Sequence, residues 1–315
     1  MSSPPQSVLQ FPAMATLFTL HLEEPDEARA RDCAQAARAE VERVEQIFSR
    51  FRPGSELARI NRLAAQAPVV TDPEVFQMLA VALEVSRRTG ASFDPTIGPL
   101  SRAWRAAAAS ATLPAALQQA SHAVGWQHVQ LNPAERSVYF ERPGMELDLG
   151  AMAKGYAVDR ALDVLQTCAV EGLVDAGSSS MAATPGCSHE LRAVFLGHPL
   201  RAEKTIGAVT LQGLALATSG VREQSFAHNG QRYSHLLDPA RPDAPGSVLQ
   251  CTVLCPSATV ADALSTALFV LGPERGSQAA HGFDDCAALW MVEADGLLHV
   301  TGYDWPVELP ASSAL

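Results

Sequence analysis

Cysteine is scarce in this chain: six in 315 residues, at Cys33, Cys168, Cys187, Cys251, Cys255 and Cys286. So few, without a paired zinc-type spacing, exclude a disulfide scaffold and a zinc module. Cys251 and Cys255 come nearest to a pair, but four residues along a strand span about 13 Å, too far for one ion to bridge. Buried free thiols in a reducing compartment are the expectation. Basic residues are also in deficit, 23 Lys and Arg against 34 Asp and Glu. The resulting net charge of −11 argues against phosphate-backbone binding, so no nucleic-acid partner is expected. No run of 18 apolar residues occurs, so no membrane span is expected either. The opening MSSPPQSVLQFPAMATLF has no basic start leading into an apolar run and no early cysteine for lipid attachment; a cytoplasmic location is the expectation. A Gly-x-Gly-x-x-Gly after a strand and a Gly-Lys-Ser/Thr phosphate-loop ending are both missing.

What the chain does have is the composition of a globular protein. It is 47% hydrophobic, with a mean hydropathy of +0.04, enough to bury a sizeable core. Its length allows one large domain or two. No flexible linker or repeat divides it, so residues 1–315 are expected to form one domain, two-lobed at most. Residues 15–22 read as a strand. Apolar positions at Cys33, Ala37, Val41, Val44, Phe48 and Phe51 predict an amphipathic helix over 26–51, stopped by Pro53-Gly54. Shorter helices are expected at 55–61 and 73–89, and an alanine-rich helical insertion at 104–122. Strands are expected at 128–132, 137–141 and 145–149, then a helix over 151–170 and a strand-rich stretch over 172–256. A helix at 259–271 ended by Gly272, and strands at 287–293 and 297–302, close the chain. Arg241–Gly246 reads as a turn-rich loop. Without a regular βαβ beat this is α+β, with mixed, largely antiparallel sheets flanked by helices.

Four segments carry candidate chemistry. In Leu147-Asp148-Leu149-Gly150-Ala151-Met152-Ala153-Lys154, a carboxylate ends a strand, a glycine turns the chain and a helix begins. Free N–H groups there suit an anion, with Lys154 adding charge; an Asp capping its own helix beside a solvated Lys is the plainer alternative. Asp262 and Thr266 lie four apart on a helix, so their oxygens share one face. Both are hard ligands of the kind Mg²⁺ takes alongside substrate phosphates; a dipole-favoured Asp and a Thr bonded to its own backbone explain the pair equally well. His235, between a strand-like run and a turn, suits general-base work, or is a structural histidine bonded to Asp238 or to backbone. Ser92-Phe93-Asp94-Pro95-Thr96-Ile97-Gly98-Pro99 is a rigid loop bearing an exposed-type carboxylate.

Taken together, SRFRPGSELARIN (49–61), SFDPTIGPL (92–100), LDLGAMAKGYAVDRA (147–161), ATSG (217–220), RYSHLLDP (232–239) and ATVADALSTALFVLG (258–272) resemble, in order, the motifs of the FAD:protein FMN transferases, the ApbE flavin transferase family. The resemblance spans nearly the whole chain. It implies a T-fold-like architecture and a Mg²⁺-dependent enzyme with FAD as substrate. Such an enzyme cleaves the pyrophosphate, joins FMN by a phosphodiester to a Thr or Ser of an acceptor protein, and releases AMP. By the same resemblance Asp262, Thr266 and the main-chain oxygen of Ala151 hold the metal. Met14, Phe51, Ser92, Phe93, Asp94, Asp148 and Lys154 line the FAD site, and His235 is the catalytic residue. Three positions depart from the pattern: Phe51 replaces a usual Tyr, Gly177-Ser178 a usual glycine pair, and Arg222 a usual aromatic. An FAD pyrophosphatase giving FMN and AMP, and a non-catalytic FAD-binding protein, remain as alternatives.

Overall fold

The computed structural model describes residues 6–107, 113–201, 203–211, 213–221, 225–228, 231–242, 246–309 and 313–314. The chain opens with a hairpin, β1 (Gln6–Ala13) and β2 (Thr16–Glu23), and continues through α1 (Glu27–Phe48), α2 (Glu56–Leu63), β3 (Val69–Val70), α3 (Pro73–Arg88), α4 (Gly98–Ala107) and α5 (Leu113–Ser121). β4 (Val129–Asn132) and β5 (Ser137–Phe140) join β3 in a small antiparallel sheet. Next come α6 (Gly150–Thr167), β6 (Glu171–Ala176), β7 (Ser180–Ala183), the single turn α7 (His189–Arg192), the hairpin β8 (Ala193–Gly197) and β9 (Thr205–Thr210), and β10 (Ala215–Gly220). The hairpin β11 (Ser225–His228) and β12 (Gln231–Ser234), then β13 (Val248–Cys255), α8 (Ala258–Ala280), β14 (Ala287–Ala294), β15 (Leu297–Tyr303) and β16 (Ser313–Ala314) complete it.

The main sheet has nine strands in the order β1-β2-β6-β7-β10-β13-β14-β15-β16, with antiparallel neighbours throughout, as the α+β reading expects. Against it pack three long helices, with α6 between α1 and α8. Helix α1 buries Ala30, Cys33, Ala34, Ala37, Val41, Val44 and Phe48, the stripe its three-to-four spacing predicts, and Asp26 caps its start. α8 is apolar nearly all round before Gly272, and it is correspondingly enclosed between α6 and the strands β10 and β13. Among the described residues no helix is long and apolar enough to cross a membrane.

The sequence reading needs correction in four places. β1 (Gln6–Ala13) is a strand ahead of the first one expected, at 15–22. Residues 145–149 form no strand beyond one isolated bridge, Ile97 to Glu146. Their backbone partners lie elsewhere: Leu147 exchanges bonds with the Asn61 side chain (2.7 and 2.9 Å), and the Asp148 N–H donates to Pro95 O (2.7 Å). Gly272 (φ +72°) does break the helix, but a second helical segment resumes at Pro273 and runs to Ala280. The buried Trp290 indole caps the break, donating to Leu268 O at 2.9 Å and so satisfying a carbonyl the broken helix leaves open. The alanine-rich insertion is two helices, α4 and α5; residues 108–112 between them, like Arg222 and residues 243–245 of the 241–246 loop, lie outside the described residues.

Candidate functional site

Two separate stretches meet where α6 crosses α8. The approach is set by Gly155. A Cβ there would stand 2.0 Å from Ala258 O and 2.9 Å from the Asp262 Cβ, so only a glycine lets the helices come this close. Asp159, one turn further along α6, fixes the start of α8. Its carboxylate accepts from the Ala258 and Thr259 N–H groups (2.8 and 2.9 Å) and from the Ser257 and Thr259 hydroxyls (2.8 and 2.6 Å). That anion at a helix N-terminus satisfies donors the helix cannot.

The consequence is a carboxylate held against a helix start. Asp262 is 3% exposed, and its Oδ2 accepts the Gly155 N–H at 2.9 Å. In an α-helix that N–H faces the carbonyl four residues back, here Ala151, so the Ala151 oxygen and the Asp262 carboxylate share one neighbourhood. The Lys154 Nζ lies 3.9 Å from Asp262 Oδ2, so Lys154 is not the solvated lysine of the plainer reading. Thr266 does not spend its hydroxyl on its own backbone: Oγ1 lies 3.0 Å from Ser219 Oγ, which also meets Ser265 at 2.8 Å. Ser219 belongs to the 217–220 motif, and its position beneath the Asp262–Thr266 face is what that motif contributes.

Upstream of α6, Asp148 accepts the Gly150 N–H (3.0 Å) and pairs with Arg50 Nε (3.0 Å). Arg50 is 6% exposed and also pairs with Glu146 (3.0 Å). Its guanidinium covers one approach to the Phe51 ring at 4.5 Å, and Arg105 lies 5.2 Å from the same ring. Phe51 is 70% exposed, a flat apolar face held by two cations. Burial, and then the charge of Arg50, pull the Arg105 pKa below its ordinary value. Arg50, Glu146 and Arg105 escaped the sequence reading, although Arg50 stands inside the 49–61 motif. An Arg50→Lys variant keeps the charge but loses the fork that reaches two carboxylates. It is expected to lower stability by about 1.5 kcal/mol, read as a fall in Tm, and to raise the KM for the site's substrate more than it lowers kcat.

The 92–99 loop is attached to this region through the Asp148–Pro95 bond, but its carboxylate is not exposed. Asp94 is 5% exposed and accepts from Thr96 N (2.8 Å), Thr96 Oγ1 (2.6 Å) and Trp126 N (3.0 Å). Burial pushes its pKa up, against the pull of those bonds. It fixes the loop's shape; Ser92 (Oγ to Thr89 O, 3.0 Å) and the buried Phe93 support it. Met14 sits at the tip of the β1–β2 hairpin with Ala15, both at positive φ (+52° and +60°), where a two-residue turn ordinarily wants Asn-Gly. The tip rests on the β6–β7 turn, where Gly177 (φ +64°) leaves no room for a side chain: a Cβ would lie 1.9 Å from Thr16 Oγ1. Strain of this kind persists only where the surroundings impose it.

His235 follows β12, its ring edge-on to Trp104 of α4 at 6.4 Å. Asp238 is held by Arg241 (3.3 Å) and the Ala240 N–H (2.9 Å). A cleft of about 260 Å³ brings Ser92 and Asp94 together with Asp238, Arg241 and Val270 of α8. A larger one, about 520 Å³, lies among α1, α3, α6 and the start of α8 and contains none of the predicted site residues. Among the described residues no group of three or more His, Cys, Asp or Glu side chains is arranged for a metal.

The ApbE family model matches residues 14–290 of this chain. Over 288 residues the chain is 32% identical to an FAD:protein FMN transferase of Klebsiella pneumoniae (strain 342), covering 89% of this chain and 87% of that protein. An FAD:protein FMN transferase of Treponema pallidum (strain Nichols) is 30% identical over 80% of this chain and 74% of its own length. Among solved structures, the ApbE protein of Thermotoga maritima superposes with a TM-score of 0.83 at 25% identity, over 95% of this chain and 97% of that one. The apo flavinyl transferase ApbE of Pseudomonas stutzeri gives 0.81 at 26% identity, over 96% of each.

Proposed function

The chain belongs to the ApbE family and is an FAD:protein FMN transferase, and on that premise we propose that it moves FMN from FAD to a Thr or Ser hydroxyl of an acceptor protein, forming a phosphodiester and releasing AMP. The observation that carries this reading is the α6–α8 crossing, where the Asp262 carboxylate, the Thr266 hydroxyl, the Ala151 carbonyl and the Lys154 ammonium converge from segments more than 100 residues apart.

The donor set fits a hard divalent ion. One carboxylate, one hydroxyl and one carbonyl are all oxygens, and Mg²⁺ ordinarily takes one or two carboxylates and leaves its other positions to water and phosphate. Asp262, Thr266 and Ala151 would hold it, and when bound it supplies neutralisation of the diphosphate and of charge on the departing AMP. Lys154 adds a mobile positive charge on the same side. Along α8 the rise of 1.5 Å per residue sets Val270, in the wall of the smaller cleft, about 12 Å from Asp262. An extended dinucleotide fits that span: diphosphate at the crossing, one end in the cleft by Ser92 and Asp94. Phe51 presents its exposed ring and Met14 its hairpin tip to FAD, and Asp148, oriented by Arg50, accepts from it.

A His235 ring nitrogen takes the proton of the attacking acceptor hydroxyl. His235→Ala is then expected to slow FMN transfer about a hundredfold while FAD binding, followed by flavin fluorescence, is retained. Wild-type rates in that variant would remove the residue from its role. The reading as a whole is tested by mass spectrometry after mixing the protein with FAD, Mg²⁺ and a threonine-bearing acceptor: FMN-modified acceptor with one equivalent of AMP supports it. Free FMN and AMP with unmodified acceptor would instead make the protein a pyrophosphatase.

A further inference from the structure

We propose that Cys255 and Cys286 form a closable dithiol, a disulfide site that ties β13 to β14 and encloses the whole of α8 in one covalent loop. The register makes the case. Leu254 faces Ala287 across the two antiparallel strands, so the next rung outward sets Cys255 directly opposite Cys286. Facing residues in an antiparallel pair have Cα atoms about 4.5 or 5.5 Å apart, depending on the kind of pair, and both values lie inside the range a disulfide accepts. The two thiols are near enough for each to shift the other's hold on its proton. Both residues are buried, at 4% and 6% exposure, so the backbone ladder and packing hold the pair in place. In the present structure both are free thiols.

The pair is also polarised. The hydrogen bond from Cys286, working against burial, draws the Cys255 thiol below its usual range, while that same bond, burial and the neighbouring Asp285 and Asp284 drive Cys286 up. Cys255 is therefore the attacking sulfur. With a small disulfide as oxidant, the Cys255 thiolate attacks one of its sulfurs and expels a thiolate, leaving a mixed disulfide. Cys286 then attacks the Cys255 sulfur and expels the second thiolate. Two electrons pass to the small disulfide, and the two thiol protons leave with the released thiolates.

Cys168 is likewise near enough to Cys33 to affect its hold on its proton, but the two come from α1 and the C-cap of α6, where no strand ladder sets two Cβ atoms face to face. Cys168 is half-buried and so gauges reagent access.

The experiment treats the folded full chain with cystamine and maps peptides without reduction. A linked Cys255–Cys286 peptide pair is expected, with Tm raised by roughly 5 °C and returned to its starting value by dithiothreitol. The Cys286→Ser variant is expected to show neither the link nor the rise, while its FMN transfer in the reduced state matches the parent. The proposal is overturned if Cys168 becomes modified and the Cys255–Cys286 pair still does not appear, or if the linked form melts no higher than the reduced one.

Discussion

Asp262→Asn is expected to lower FMN transfer about a thousandfold, the equivalent of about 4 kcal/mol of lost charge stabilisation, with the fold intact. The amide oxygen of Asn still accepts the Gly155 N–H that Asp262 Oδ2 now receives at 2.9 Å, so the α6–α8 contact keeps its bond. What disappears is the negative charge, with two effects. A divalent ion held there would lose the one anionic ligand among the proposed donors, and Lys154, 3.9 Å away, loses its counter-charge. Transfer rates measured against Mg²⁺ concentration separate this from a simple loss of fold: the variant should keep the parent's Tm and need far more metal for residual activity. Parent-like rates at ordinary Mg²⁺ would dismiss Asp262 as a ligand.

Gly155→Ala is the second large effect, and here two physical tendencies oppose one another. In an isolated helix, alanine in place of glycine is favourable by about 1 kcal/mol. At position 155 the new Cβ would lie 2.0 Å from Ala258 O and 2.5 Å from its carbonyl carbon, both backbone atoms of α8. That backbone cannot yield cheaply, because Asp159 grips it through four hydrogen bonds. The clash wins: the variant is expected to lose about 3 kcal/mol of stability, seen as a lower Tm in thermal melts. Transfer falls with it, since any separation of the helices withdraws Asp262 from Ala151. A Tm equal to or above the parent's would show that the helix preference had prevailed and the close approach was not binding on the fold.

Much of this was legible before any coordinates. The α1 stripe from Cys33 to Phe48 is set by spacing, and the antiparallel character of the second half by its short, evenly placed strands. The chemistry of Asp262 and Thr266 as hard oxygens four apart on a helix is equally local. The strand expected at 145–149 failed for a reason that spacing cannot express. Its backbone groups bond to the Asn61 side chain and to Pro95 O instead of to a neighbouring strand. The polar, proline-rich loop reads as exposed; its bonds from Thr96 are local, but the Trp126 N–H that closes over Asp94 comes from 32 residues away and is reached only by folding.

Sequence alone, then, determined which residues carry usable oxygens, charges and turns, because those are properties of single side chains and of near neighbours along a helix or strand. The tertiary structure alone decided which of them meet. Asp262 reaches the start of α6 across 107 residues because Gly155 lacks a side chain. Asp148 is oriented by a buried Arg50 nearly a hundred residues earlier. Contacts between distant segments depend on the shapes of both partners at once, and neither stretch of chain holds that information by itself.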